Sequence, residues 1–341
     1  MASVDVARGR HDWLEAGAFE VAPGVHRIPL PMPGDGLRAI NAYAIEDGDG
    51  LVLVDSGWAR PEAREALESA LAELGRGLAD VRRFLVTHVH RDHYTLGVQL
   101  RREFGTPLAL GAGERPSLEV LLSGSNDRQL SRLERAGADE LAELIRSALE
   151  TEPAEDHYEP PDEWLDDGAE IDLTSRTLRV IATPGHTRGH VVFADEDNAL
   201  LFSGDHVLPH ITPSIGLEAA RTDLPLGDFL DSLQRVRELP DMRLLPAHGP
   251  ATASAHARAA ELLAHHEDRL DRTQAAVDGA DTAREVAGRL GWTRRERAFD
   301  DLDVFNRILA VGETAAHLDL LVARARLERS VVDGVARYRE A

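Results

Sequence analysis

Five short apolar runs in this chain each end at a residue that can bind a metal, and that repetition restricts the fold more than any single segment does. Leu51 to Val54 runs into Asp55, and Phe84-Leu85-Val86 runs into Thr87-His88-Val89-His90-Arg91-Asp92-His93. Leu178 to Ala182 leads to His186, Ala199 to Phe202 to Asp205, and Arg243 to Leu245 to His248. Runs of this length bounded by polar residues read as buried strands. Polar tips at one end of several strands converge on one rim of a sheet, where α/β folds place their sites. Helical periodicity at Pro61–Leu74, Leu96–Phe104 and Leu226–Leu239 falls between the runs, which predicts a layered α/β architecture with helices outside.

The densest tip sets the chemistry. Three imidazoles and a carboxylate occupy the six residues His88 to His93, in a chain with 15 His among 341 residues. His88 and His90 alternate on one side of an extended segment, and a turn after them swings Asp92 and His93 around. His and Asp are ligands for zinc and similar borderline metals. Cysteine is absent and all 38 basic residues are Arg. A metal must therefore be held by N and O atoms, and a thiolate nucleophile, a Schiff-base lysine and a lysine-dependent phosphate loop are all excluded. Five His (88, 90, 93, 186, 248) and two Asp (92, 205) make seven candidate ligands. One zinc takes about four ligands, so seven protein ligands and a shared hydroxide suit two metals.

The remaining chain divides by texture. Residues 18–30 and 37–45 read as strands, Gly48-Asp49-Gly50 as a hairpin turn, and Pro107–Leu110 as a further short strand. Residues 111–168 break the rhythm: they are acidic and largely helical, most clearly over Leu130–Leu149, and are expected as an insertion lying over the sheet, either a lid or substrate wall or a plain spacer. From Ala255 the tips stop. Helices are expected at 255–278, 282–290 and 302–327, then a hairpin at 331–338 turning on Asp333-Gly334. This divides the chain into a catalytic unit, 1–254, and a small winged-helix-like unit, 255–341. The net charge is −22, which argues against nucleic acid as a partner. No run approaches the ~18 apolar residues of a membrane span, and Met1–Glu20 lacks the apolar core of a secretory signal. A cytoplasmic protein is expected.

The ordered motifs His-x-His-x-Asp-His at 88–93, Gly-His-Thr-x-Gly-His at 185–190, Gly-Asp at 204–205 and His-Gly at 248–249 resemble those of the metallo-β-lactamase superfamily. The resemblance spans roughly residues 20–250. It implies a four-layer αβ/βα sandwich. It also implies that His88, His90 and His186 hold one metal, that Asp92, His93 and His248 hold a second, and that Asp205 bridges the two. The cofactors implied are two divalent ions: zinc, or else manganese or iron. Asp55 would orient a ligand from behind. The first two His motifs are most similar to glyoxalase II-type thioester hydrolases, but that enzyme's glutathione-binding basic set has no counterpart here. Val311–Leu318 and the closing hairpin are instead similar to the winged-helix-like appendage of a branch that hydrolyses acyl thioesters or cuts RNA.

The activity so implied is hydrolysis of a thioester or ester of a small acyl substrate by a metal-bridged hydroxide, with Asp92 passing the proton. A phosphodiesterase or ribonuclease, and a mononuclear-iron sulfur dioxygenase using the first triad alone, are the alternatives. His190 is expected to support the site rather than ligate. His206, His210 and Tyr94 are candidates for substrate contact or a loop role, and His11, His26, His157, His256, His265, His266 and His317 for no metal role. Arg294-Arg295-Glu296-Arg297 reads as a solvated turn. The apolar helix Val304–Val322 allows a homodimer face or a cover over the pocket.

Overall fold

The structure is a computed structural model that describes residues 12–149 and 157–341; most of the N-terminal stretch considered above, His11 included, and residues 150–156 of the insertion lie outside them. Four strands open the chain as an antiparallel meander: β1 (Phe19–Ala22), β2 (Val25–Pro31), β3 (Ala39–Asp47) and β4 (Gly50–Val54). After α1 (Pro61–Glu73) the sheet grows in parallel through β5 (Val81–Val86), α2 (Arg91–Phe104) and β6 (Leu108–Gly111). Three helices follow, α3 (Arg115–Ser123), α4 (Asp127–Arg135) and α5 (Asp139–Leu149), before β7 (Glu163–Leu165) adds the last parallel strand. The first sheet thus has seven strands in sequence order.

The second sheet has five, in the order β12-β11-β10-β9-β8. It is built from β8 (Glu170–Asp172), β9 (Thr177–Ala182), β10 (Val191–Asp195), β11 (Leu200–Gly204), α6 (Pro225–Glu238) and β12 (Arg243–Pro246). Three helices then close the chain with a hairpin: α7 (Ala255–Ala276), α8 (Ala283–Arg289), α9 (Val304–Ala323), β13 (Leu327–Val332) and β14 (Val335–Glu340). No helix among the described residues is long and apolar enough to cross a membrane.

Alternation within the strands explains the layers. In β4, Val52 and Val54 face the second sheet while Leu51 and Leu53 face α1 and α2; in β10, Val191 and Phe193 face inward while Val192 and Ala194 meet the outer helices. Both faces are buried, so the strands read as continuous apolar runs. Tyr43 and Phe202 meet edge-to-face across the two sheets with centroids 5.4 Å apart, a favoured aromatic geometry. The order is helix, sheet, sheet, helix, the αβ/βα sandwich expected.

Some details differ from the sequence expectations. Leu130–Leu149 is two helices, because Gly137 takes φ +75° and ends α4, as a left-handed residue past a helix does. The 111–168 segment is largely helical as expected, and it also returns as β7 to the sheet edge. Its helices α4 and α5 do not lie over the sheet: Leu133, Ala136, Leu141 and Ala142 join the core formed with α6 to α9. β10, which follows His190 directly, has no counterpart among the expected strands.

Candidate metal centre

The tips meet because of strand direction. β4 and β5 run parallel, so Asp55 and His88–His93 leave the same edge of the first sheet. β11 and β12 are parallel and β10 is antiparallel to both β9 and β11, so the ends of β9, β11 and β12 share one edge of the second sheet. Backbone bonds stitch these edges together: Val191 N donates to Thr87 O (2.9 Å), and Asn41 N to Ala247 O (2.7 Å).

Seven side chains converge there. His186 Nε2 lies 3.1 Å from His90 Nδ1 and 3.5 Å from Asp205 Oδ2. His248 Nε2 lies 3.4 Å from both Asp92 Oδ2 and Asp205 Oδ1, and His93 Nε2 lies 3.6 and 3.7 Å from the same two atoms. Ligand-sized groups form from His88, His90 and His186, from His88, His93 and Asp205, and from Asp92, His93 and His248. His88 Nε2, His93 Nε2, His248 Nε2 and Asp205 Oδ1 are buried without a hydrogen-bond partner. Buried polar atoms are rarely left unpaired, so four orphans aimed at one point fit divalent ions.

The other nitrogen of each ring is fixed from behind, which selects the tautomer. His93 Nδ1 donates to Asp55 Oδ2 (2.9 Å), His186 Nδ1 to the carbonyl of Ser214 (2.8 Å), and His248 Nδ1 to the carbonyl of Ala39 (2.8 Å). Asp55 also accepts from Thr87 N (2.8 Å) and the Thr87 hydroxyl. It does so at φ +59°, an uncommon conformation for a residue other than glycine, and one that aims its carboxylate back under the His cluster.

Burial and the charges of neighbouring imidazoles hold His88 far below its usual pKa and lower His90 to about 3; burial also lowers His186. All three are therefore neutral, the ligating form. Burial opposes a charge on His93, but Asp55, Asp92 and Asp205 outweigh it and hold its pKa at about 10. Burial likewise works against ionisation of Asp92, yet His93 and His248 bring it well below the carboxylate range. A metal held here would take the place of the proton on His93.

The remaining candidates separate. His190 donates from Nδ1 to the Thr183 hydroxyl (2.9 Å), and its Nε2 accepts from Asp205 N (3.1 Å). Neither nitrogen is left for a metal, and its role is to hold the backbone of Asp205. His206 is turned to the outer face, against Phe229 of α6 at 5.1 Å, and does not join any ligand group. Tyr94 does not face the site: its hydroxyl donates to Glu159 O (2.8 Å) and its ring lies in the core beside α1 and α3. His210 is half-buried beside Gly249, at the rim next to His248.

Sequence reasoning does not single out several residues at the site. Glu114 is fully buried, accepts from the Thr187 hydroxyl and from Val89 N, and so ties the His88–His93 loop to the His186 loop. The guanidinium groups of Arg60 and Arg91 both lie over the Trp58 ring, at 4.3 and 4.1 Å. Tyr158 approaches closely enough to feel the charges of Asp92 and Arg91. A Trp directly after the Asp55-Ser56-Gly57 tip is the one visible signal; nothing local marks Glu114 or Tyr158.

Glu218 supports the same region. It is buried, and its Oε2 accepts from Arg188 N (2.6 Å) while Oε1 has no partner. Burial raises its pKa to about 8, with Glu114 adding to the rise and Arg188 and Arg132 opposing it. A carboxyl raised on folding contributes stability below its unfolded pKa and loses it as pH climbs through the folded value. Glu218→Gln cannot ionise. Its stability relative to the wild type should rise between about pH 5 and pH 8, by at most about 1.4 kcal/mol per pH unit. Urea melts at pH 5, 6.5 and 8 check this; parallel curves would remove the assignment.

The Metallo-beta-lactamase superfamily domain matches residues 35–248 and the Metallo-beta-lactamase-like C-terminal domain matches residues 270–341. The chain belongs to the metallo-beta-lactamase superfamily, whose members are hydrolases. It is similar to a metallo-beta-lactamase family protein from Thermus thermophilus, with 31% identity, a TM-score of 0.74, and 94% of this chain and 100% of that one covered. A beta-lactamase domain protein from Burkholderia ambifaria gives 30% identity, a TM-score of 0.76, and coverage of 95% and 93%. The "Probable metallo-hydrolase YqjP" of Bacillus subtilis is 26% identical over 322 residues, 87% of this chain and 91% of that protein.

Proposed function

We propose that the protein is a dinuclear metal-dependent hydrolase of small acyl thioesters or esters, acting in the cytoplasm. The observation that supports it most directly is the set of orphaned buried atoms at one point, on His88, His93, His248 and Asp205. His88, His90 and His186 would hold one ion, Asp92, His93 and His248 the other, with Asp205 between them. When bound, such a pair supplies a hydroxide at neutral pH and polarises the bond under attack. The chain's own residues do the rest. Asp55 and the carbonyls of Ser214 and Ala39 hold three imidazoles in one tautomer. Asp92, kept ionised, receives the proton and returns it to the leaving group. Arg91, over the Trp58 ring, adjoins Asp92 in sequence, and Tyr158 is close enough to feel both charges; an aromatic face and a guanidinium there suit an acyl group carrying a polar or anionic end. The net charge of −22 favours a small substrate over a nucleic acid.

The test is metal per chain by mass spectrometry on protein purified without added metal, followed by assays on acyl thioesters, esters and bis(p-nitrophenyl) phosphate. Two zinc or manganese ions and turnover of the thioesters are expected. One iron with oxygen uptake would move the assignment to sulfur oxidation, and turnover of the phosphodiester alone would move it to a nuclease.

A further inference from the structure

A second cavity lies away from the metal centre, and none of the seven candidate ligands lines it. It is a narrow slot of about 60 Å³ between α4, the turn at 216–217 and α9. Leu133, Ala136, Leu217, Ile308, Val311 and Ala315 supply its apolar wall. Arg132 and Arg221 also line it, and both belong as well to an adjoining groove that adds Arg128.

These cations are under-compensated. Arg132 is half-buried and donates to a backbone carbonyl, that of Glu218 (2.7 Å). The Glu218 carboxylate is turned to Arg188 N instead, and among the described residues no ion pair involves Arg132. Arg221 shares Asp319 (3.3 Å) with Arg329 (2.9 Å) and the Tyr338 hydroxyl (3.0 Å). Burial, together with the charges of Arg221 and Arg128, lowers the Arg132 pKa to about 10 against the pull of Glu218. One acid, Asp319, lines the slot against Arg132, Arg135 and Arg221, and one, Asp127, lines the groove against Arg128, Arg132 and Arg221; this local excess of cations in a chain of net charge −22 suits an anion. The slot is narrow and apolar, so the anion carries a thin tail.

We propose that this cavity is a binding site for a soluble anionic amphiphile, with a carboxylate or similar head at Arg132 and Arg221 and a short unbranched alkyl tail between α4 and α9. The slot contains none of the candidate metal ligands, so binding is measured directly.

Sodium butyrate titrated calorimetrically into the metal-loaded full chain should bind saturably, one per chain. Formate, which lacks the tail, and butylammonium, which reverses the head charge, should each bind at least about tenfold more weakly. Ala315→Phe, which fills the slot, and Arg132→Gln, which removes the head contact, should each weaken butyrate by at least about tenfold. Metal content and circular dichroism should stay as in the wild type. Absence of saturable butyrate binding, equal binding of butylammonium, or wild-type affinity in a folded Arg132→Gln would overturn the proposal. The ligand series decides the matter even if Ala315→Phe does not fold.

Discussion

Replacing Asp92 by Asn is expected to lower kcat by roughly 10³-fold or more while leaving the fold intact, since positioned proton transfer alone contributes about 10²–10⁴. The side chain lies beside His248 Nε2 at 3.4 Å and His93 Nε2 at 3.6 Å, and Asn preserves its size and one acceptor oxygen. What Asn loses is the negative charge and the capacity to take up a proton. Metal content separates these contributions. A variant that keeps two ions and loses turnover has lost the proton carrier; one that keeps a single ion has lost a ligand. A kcat within about tenfold of the wild type would discard the role altogether.

The largest effect on stability is expected at Gly189, between His186 and His190. Here two stretches of backbone press together. A Cβ on Gly189 would land on Glu114 N and the carbonyl carbon of Gly113, closer than real Cβ atoms approach, and a Cβ on Gly111 would meet Gly189 O. The atoms in the way are main chain, so no side chain can swing aside. Gly189→Ala should cost about 4 kcal/mol or more, in the range reserved for core disruption. It should also weaken metal binding, because the displaced Glu114 is what ties Val89 to Thr187. Denaturant melts of metal-free and metal-loaded protein read both effects. A variant within about 0.5 kcal/mol of the wild type, the ordinary scatter of surface changes, would show that the crossing yields easily.

The convergence of these candidate ligands was legible because their chemistry is carried by residue type and by position after a strand. His88, His90, Asp92, His93, His186, Asp205 and His248 each follow an apolar run, and parallel strand pairing forces such positions to one rim. The carbonyls that orient His186 and His248 were not legible, since Ser214 and Ala39 act through backbone atoms that every residue shares. Tyr94 misled for a related reason. It adjoins the cluster in sequence, but it lies in the first turns of α2, and the helical rotation carries its ring into the core. His206 stands next to Asp205, and the sharp turn there points consecutive side chains to opposite faces of the sheet. Helices α4 and α5 were readable as helices, but their partner was not, because their apolar stripe says only that something covers it.

The seam of the sandwich has a mechanical side. Four of the seven ligand candidates ride on the first sheet and three on the second, so ions held by them would clasp the two together. Each half alone carries an incomplete donor set, and full affinity would exist only with the seam shut. Binding energy spent there would resist separation of the halves in proportion to metal availability. Bound ions would thus act as a structural keystone, and an active molecule would by that fact be a closed one.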